Sequence, residues 1–153
     1  MFTGSLFESK YTPQDGIERN TRFGTRWTSS YTLGREFEFK KARTLQIGAR
    51  VLYNGGFRYS PHDPVASAAD GRYVPLAGAE WSEQVPAYFR IDARMAYRYN
   101  AKKFSGSISL DIQNLTSQRN INAVGYNALS NTLENLNYPG GDFIPVLAFQ
   151  FDF

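Results

Sequence analysis

Charged side chains recur at alternate positions inside otherwise apolar segments, and these are the residues best placed to do chemistry. The set comprises Arg50, Arg90, Asp92, Arg94, Arg98 and Asp111. Arginines at this spacing could bind an anionic substrate through paired hydrogen bonds. The more ordinary use, which we favour, is pairing with acids on neighbouring strands.

Other kinds of chemistry find little support in the composition. The 153-residue chain has no cysteine, which excludes disulfides, thiolate metal sites and a cysteine nucleophile. The one histidine, His62, lies in the Pro-rich stretch SPHDP, where a lone imidazole is usually solvated. No nucleophile, base and orienting group form a recognisable set, so we expect no enzymatic activity, no metal site and no cofactor. The net charge of +3 is too small to predict nucleic-acid binding.

The elements that must position the charged residues are strands, because apolar residues recur at period two. In YFRIDARMAYRYN, Phe89 and its alternate neighbours are apolar, whereas Arg90 and its alternate neighbours are mostly charged. The predicted strands are 4–12, 23–40, 44–60, 87–100, 104–115 and 143–153. The fold class is therefore all-β, an antiparallel meander of about six long strands. We interpret Asn54-Gly55 as lying inside a continuous strand, the alternative being a two-residue hairpin turn.

The connections alternate between tight and long. Those at 40–43 and 100–103 are tight, 13–22 is of medium length, and 61–86 and 119–142 are long. Inside 61–86, Asp63, Pro64 and Gly71 predict a short helix with an N-cap, a first-turn proline and a terminal glycine. In a meander the long connections fall at one end of the sheet and the tight ones at the other.

A sheet with one apolar face can enclose a soluble core or face lipid. The strands exceed the usual five or six residues, and a tilted strand needs roughly 9–11 to cross a bilayer. Outer-membrane barrels also have short periplasmic turns and long outer loops. We therefore predict a transmembrane sheet in the outer membrane of a Gram-negative cell, with long loops extracellular and termini periplasmic. The alternatives are a soluble β-barrel or sandwich binding protein and an adhesion module that closes a barrel from several copies.

Several segments resemble the C-terminal part of the barrel in TonB-dependent outer-membrane receptors of the Bacteroidetes type. They are SLFESKYTPQDGIERNTRF (5–23), YNGGFRYSP (53–61), WSEQVPAYFRIDARMAYR (81–98), SLDIQNLTSQRN (109–120) and the aromatic terminus FIPVLAFQFDF (143–153). The resemblance covers nearly the whole chain. It implies a 22-stranded barrel around a plug domain, with transport of a scarce nutrient such as a siderophore, vitamin or glycan.

The resemblance also implies which partners the chain has. Residues 1–153 would be one segment of such a barrel, without plug, TonB box or signal peptide, since MFTGSLFESK lacks a basic start before an apolar core. Its partners would be outer-membrane lipid, the remaining N-terminal strands and the plug, with the TonB complex reached only through the missing part. In such a barrel the arginines of the alternating charged set would face the lumen, where they could also pair with residues of the plug.

The aromatic residues at the end of the chain resemble an assembly signal. Phe149, Phe151 and Phe153 lie on one face of the last predicted strand. An unpaired strand offers main-chain hydrogen bonds, and its alternate side chains can fill specificity pockets. We expect the barrel-assembly machinery to recognise this strand, whereas the simpler alternative is that these rings only form part of an interfacial girdle.

Overall fold

The computed structural model describes residues 1–40, 42–100, 104–138 and 141–152. It contains one helix, α1 (Pro64–Asp70), among the described residues. Its strands, in chain order, are β1 (Phe2–Leu6), β2 (Lys10–Tyr11), β3 (Arg19–Asn20), β4 (Trp27–Phe39), β5 (Arg43–Asn54), β6 (Arg58–Tyr59), β7 (Glu83–Gln84), β8 (Tyr88–Asn100), β9 (Ser105–Gln113), β10 (Ile121–Asn127), β11 (Thr132–Asn137) and β12 (Ile144–Asp152).

Six strands form one open antiparallel sheet in the order β1-β4-β5-β8-β9-β12. Each strand pairs with the next sheet strand along the chain, so the predicted all-β meander of six strands is confirmed. The sheet is not closed into a barrel. β1 and β12 are its two edges, and their outer backbone groups have no strand partner within the described chain.

The pairing register sorts the side chains onto two chemically different faces, because direct partners in an antiparallel sheet point to the same side. Phe37 opposes Leu45, which opposes Tyr97, which opposes Ile108. We call this side the apolar face. The opposite side, where Arg50 opposes Asp92, is the polar face.

The described residues form no hydrophobic core under the sheet. Leu33, Met95 and Leu147 on the apolar face are 71%, 48% and 57% exposed. The accessible surface is 10694 Å², whereas a compact soluble protein of 17.3 kDa exposes about 7,800 Å² by the usual size scaling.

Among the described residues no helix is long and apolar enough to span a membrane.

The buried residues lie instead in the connections at one end of the sheet. These connections, 7–26, 55–87 and 114–143, form what we call the rim. They carry three two-stranded sheets, β2-β3, β6-β7 and β10-β11. The one buried hydrophobic residue of the described chain, Val85, and the buried polar residues Arg58, Ser60, Ser67, Asn114 and Asn120 are all rim residues. The predicted contrast between long and tight connections is therefore present, although residues 41 and 101–103 of the tight ones lie outside the described residues.

The predicted helix is confirmed. Asp63 precedes α1 in an extended conformation, and its carboxylate accepts hydrogen bonds from the N–H groups of Val65 (2.9 Å) and Ala66 (3.0 Å). Gly71 follows the helix with a φ of 63°, the left-handed conformation that glycine adopts at little cost.

The continuous strand predicted across Asn54-Gly55 is wrong. β5 ends at Asn54, and β6 pairs with β7 outside the main sheet. The reason is a close approach of backbones. A Cβ on Gly56 would lie 1.9 Å from the carbonyl oxygen of Val85, so only glycine allows the chain to cross there.

Two other boundaries also differ from prediction. The loop expected over 119–142 contains the β10-β11 hairpin, whose mixed polar and apolar residues pair with each other rather than with the main sheet. The strand expected over 4–12 is divided into β1, on the edge of the main sheet, and β2, in the rim. In both cases the difference lies in the pairing partner of a strand, which depends on the tertiary fold.

Candidate functional site

All six predicted charged residues lie on the polar face, on the three neighbouring strands β5, β8 and β9. Arg94 Nη1 lies 3.2 Å from the carboxylate of its direct cross-strand partner, Asp111. Arg90 Nε lies 2.6 Å from Asp92 Oδ1, two residues along the same strand. Four of the six therefore form ion pairs inside the sheet, one pair across neighbouring strands and one within a single strand.

The other two arginines have no carboxylate within 4.0 Å in the part of the chain that the structure describes. Arg50 opposes Asp92 in the register, but Asp92 bonds to Arg90 and accepts the N–H of Asn114 (3.0 Å). Arg98 opposes Thr44 and Ser107. These two guanidinium groups are the polar-face cations open to a ligand or to another part of the protein.

A cavity of about 630 Å³ lies where the polar face meets the rim. Aromatic rings, side-chain amides and one guanidinium line it, including Phe23, Phe57, Tyr88, Arg90, Asn120 and Tyr138. Two smaller cavities, of about 350 and 510 Å³, lie on the polar face further from the rim. The first is beside Arg50 and the second is beside Arg98. Flat rings with amide and guanidinium donors can bind a polar organic molecule by stacking and hydrogen bonding.

Two asparagines that sequence reasoning missed hold this region together. Asn114 follows β9 with a φ of 50°, and its amide donates to the carbonyl of Gln118 (3.0 Å) and to that of Gly141. Asn120 bonds to the backbone of Phe89 through both ends of its amide. The preference of asparagine for turns and left-handed backbone was the only signal available in the sequence.

The three rim connections are also linked to each other. Arg19 Nε donates to Glu80 at 2.7 Å, and this bond joins the first connection to the second. Arg19 Nη1 also lies 2.7 Å from Asp15 in its own connection. Hydrogen bonds from its own backbone N–H and from Arg19 hold the pKa of Glu80 below its usual value. The backbone N–H of Ile17, followed by Arg19, similarly lowers the pKa of Asp15.

His62 helps to link the second rim connection, 55–87, to the third, 114–143, and it is not simply solvated. Its Nε2 lies 3.1 Å from the carbonyl oxygen of Asn131, whose side chain in turn donates to the carbonyl of Pro64 (2.9 Å). Tyr126 donates to Asn131 Oδ1 at 2.8 Å. The tip of the β10-β11 hairpin is therefore attached to the start of α1. Among the described residues no group of three His, Asp or Glu side chains could hold a metal ion.

The apolar face is organised into two aromatic rows. The upper row, next to the rim, comprises Phe2, Trp27, Tyr31, Tyr53 and Phe89; the Trp27 and Tyr53 rings are 4.6 Å apart and Tyr53 and Phe89 5.9 Å apart. The lower row, next to the tight connections, comprises Phe37, Phe39, Tyr97, Tyr99, Phe104, Phe149 and Phe151. Between them the face is aliphatic, apart from Arg35.

Two of the three residues of the expected assembly signal lie in the lower row. Phe149 opposes Ile108 and Phe151 opposes Gly106, and both rings are largely exposed on the apolar face. Phe153 lies outside the described residues. Recognition of this strand by the assembly machinery stays a prediction.

Comparisons with known protein families, with curated proteins and with solved structures found no match to this chain.

Proposed function

We propose that this chain supplies six neighbouring strands of a transmembrane β-barrel in the outer membrane, in a TonB-dependent transporter of a scarce nutrient. Its apolar face contacts lipid, its polar face lines the lumen, and the rim lies on the extracellular side. One observation carries the membrane assignment: the pairing register places aromatic residues of separate strands in two rows with an aliphatic band between them.

The spacing of the rows fits a bilayer. Phe89 and Tyr99 belong to opposite rows and are ten positions apart on β8. At about 3.4 Å per residue they are about 34 Å apart along the strand, which is about 24 Å along the membrane normal for a strand tilted by about 45°. Transmembrane barrels have an apolar band of about 25 Å between two aromatic girdles.

The open edges favour a barrel with further strands. In hydrocarbon each unpaired backbone group costs several kcal/mol, so the edges at β1 and β12 need partners. Six strands are also fewer than the eight of the smallest membrane barrels. A soluble sandwich would have to cover the apolar face with a second layer, which the described chain does not provide.

The transport part of the proposal rests on the resemblance to TonB-dependent receptors, together with the polar face. The cations Arg50 and Arg98 and the cavity between polar face and rim are where a polar solute would meet this segment. The ion pairs of Arg90 and Arg94 mainly neutralise charge within the sheet.

Single-cysteine labelling tests the membrane assignment, because this segment contains no cysteine of its own. Cysteines would replace Ile91, Asp92, Ala93, Arg94 and Met95 in turn, in cells that express the complete barrel. We expect a lipid-soluble probe to label positions 91, 93 and 95, and a water-soluble maleimide to label positions 92 and 94.

Fractionation separates the alternatives. A protein that needs no detergent and has positions 91, 93 and 95 inaccessible to both reagents would be a soluble β-protein. Two copies of this chain in one detergent-stable barrel, without other strands, would indicate the homo-oligomeric adhesion module. Uptake assays with substitutions at Arg50 and Arg98 then address transport separately.

A further inference from the structure

The apolar face carries two charged side chains among the described residues, and both are arginines. They are Arg35 on β4 and Arg43 on β5, which are neighbouring strands of the sheet. Arg35 opposes Ile47 and Arg43 opposes Phe39. No acidic residue shares this face within the described strands, because Glu36 and Glu38 point to the polar side.

Both guanidinium groups lie against rings of the lower aromatic row. The Arg35 guanidinium carbon is 5.0 Å from the centre of Phe37, the next residue on this face towards the tight connections. The Arg43 guanidinium carbon is 5.3 Å from the centre of Tyr99, its direct partner on β8. Arg35 therefore leans away from the aliphatic band and towards the row at which Arg43 already lies.

Two exposed cations without a carboxylate within 4.0 Å in the described chain are costly on a lipid-facing surface. The cost falls when a long side chain reaches the interface and meets an anion there. Guanidinium binds phosphate oxygens through two parallel hydrogen bonds, and it is less strongly hydrated than an ammonium group.

We propose that Arg35 and Arg43, whose guanidinium groups lie against Phe37 and Tyr99, bind the phosphates of anionic phospholipid in the leaflet next to the tight connections. This inference rests on the proposed membrane function. Phospholipid is the occupant because the lower aromatic row is at headgroup level in the proposed barrel, and because both charged side chains that the described strands place on this face are positive. The site would give the barrel a preference for anionic lipid at one place on its circumference.

The test uses the complete barrel reconstituted in nanodiscs that contain phosphatidylethanolamine and phosphatidylglycerol. Native mass spectrometry then counts the lipids that remain bound after the disc is stripped with detergent. We expect phosphatidylglycerol to be enriched over its share of the bilayer. Arg35→Gln and Arg43→Gln should each lower the enrichment about fivefold, the size expected for one basic side chain at an anionic surface.

Matched variants keep the result specific. Arg98→Gln removes the same charge near the same end of the sheet but from the polar face, and it should leave the enrichment unchanged. Arg35→Lys with Arg43→Lys keeps both charges and should retain most of it. The Gln variants remove charge from a lipid-facing surface, so the barrel should still fold, which heat-modifiable migration on a gel would verify.

Two outcomes would overturn the inference. They are no phosphatidylglycerol preference in the native barrel, and an unchanged preference in the double Gln variant. In each case a barrel that inserts into the disc leaves the proposed membrane function standing. A protein that does not enter the disc at all would refute both.

Discussion

The side-chain amide of Asn120 pairs with both backbone polar groups of Phe89. Its Oδ1 accepts the Phe89 N–H at 2.9 Å, and its Nδ2 donates to the Phe89 carbonyl at 2.8 Å. Because β9 ends at Gln113, the amide takes the place of a strand partner and continues the hydrogen bonding of β8 towards the rim. A buried side chain, rather than backbone, thus joins sheet and rim at this point.

Replacing Asn120 with alanine should therefore destabilise the junction. Two backbone groups of Phe89 would lose their partners, at about 1–3 kcal/mol for each group that stays buried. We expect faster amide hydrogen exchange at Phe89 and a lower melting temperature. Asn135→Ala is the matched control, since Asn135 is exposed on β11 and should tolerate the change. Equal effects of the two substitutions would contradict the role given to Asn120.

Met95→Arg should cost about 2–4 kcal/mol in a bilayer if position 95 is near the midplane, and less if it is near an interface. Met95 opposes Ile47 and Leu110 in the aliphatic band, so a guanidinium there would face hydrocarbon. The control is Ala96→Arg, one residue further on and on the polar face beside Gln46 and Ser109. Denaturant unfolding from lipid vesicles measures both. A greater loss for position 96 would reverse the assignment of the two faces.

Gly56→Ala should disrupt the rim, because the new Cβ would lie 1.9 Å from the Val85 carbonyl oxygen and 2.7 Å from that of Pro86. Both are backbone atoms, so the β6-β7 pair must move, at a cost of about 1–3 kcal/mol or more. Gly34→Ala on β4 is the control, since its Cβ would make only an ordinary contact of 3.7 Å with the Ile47 carbonyl. Limited proteolysis of 55–87 should accelerate for Gly56→Ala alone.

The link between Arg19 and its two acids should weaken in acid. Folding lowers the pKa of Glu80 and of Asp15 below their usual values of 4.5 and 3.8. A lowered pKa means that the contribution is present in full above those usual values and is lost as the pH falls through the folded ones. We expect the protection of amides around residues 15–19 and 78–80 against hydrogen exchange, after correction for the intrinsic effect of pH, to fall below about pH 4.

Glu80→Gln supplies the control for this pH dependence. The variant keeps the shape of the side chain but has no charge to lose, so exchange around residues 78–80 should already be faster at neutral pH. When the pH is then lowered, the loss of amide protection around residues 78–80 should be smaller in this variant than in the native chain. An unchanged acid response in Glu80→Gln would assign the effect to other groups.

Local sequence pattern was sufficient to predict which residues share a face within each strand. Successive side chains on a strand point to opposite sides, so the alternation in 87–100 was enough to separate Arg90 from Ile91. Capping chemistry is equally local, which is why Asp63, Pro64 and Gly71 predicted α1 correctly. The order of a meander with tight connections also follows from chain connectivity.

Contacts between residues of different strands and connections could not be predicted from local pattern and depend on the tertiary fold. Register between strands depends on the sum of many cross-strand contacts, and alternation within one strand is compatible with many registers. The pairing of Arg94 with Asp111, the two aromatic rows, and the placement of Arg35 and Arg43 on the same face of neighbouring strands all depend on that sum. The rim was equally beyond local pattern, because Gly56 and Asn120 act through backbone atoms far along the chain, at Val85 and Phe89.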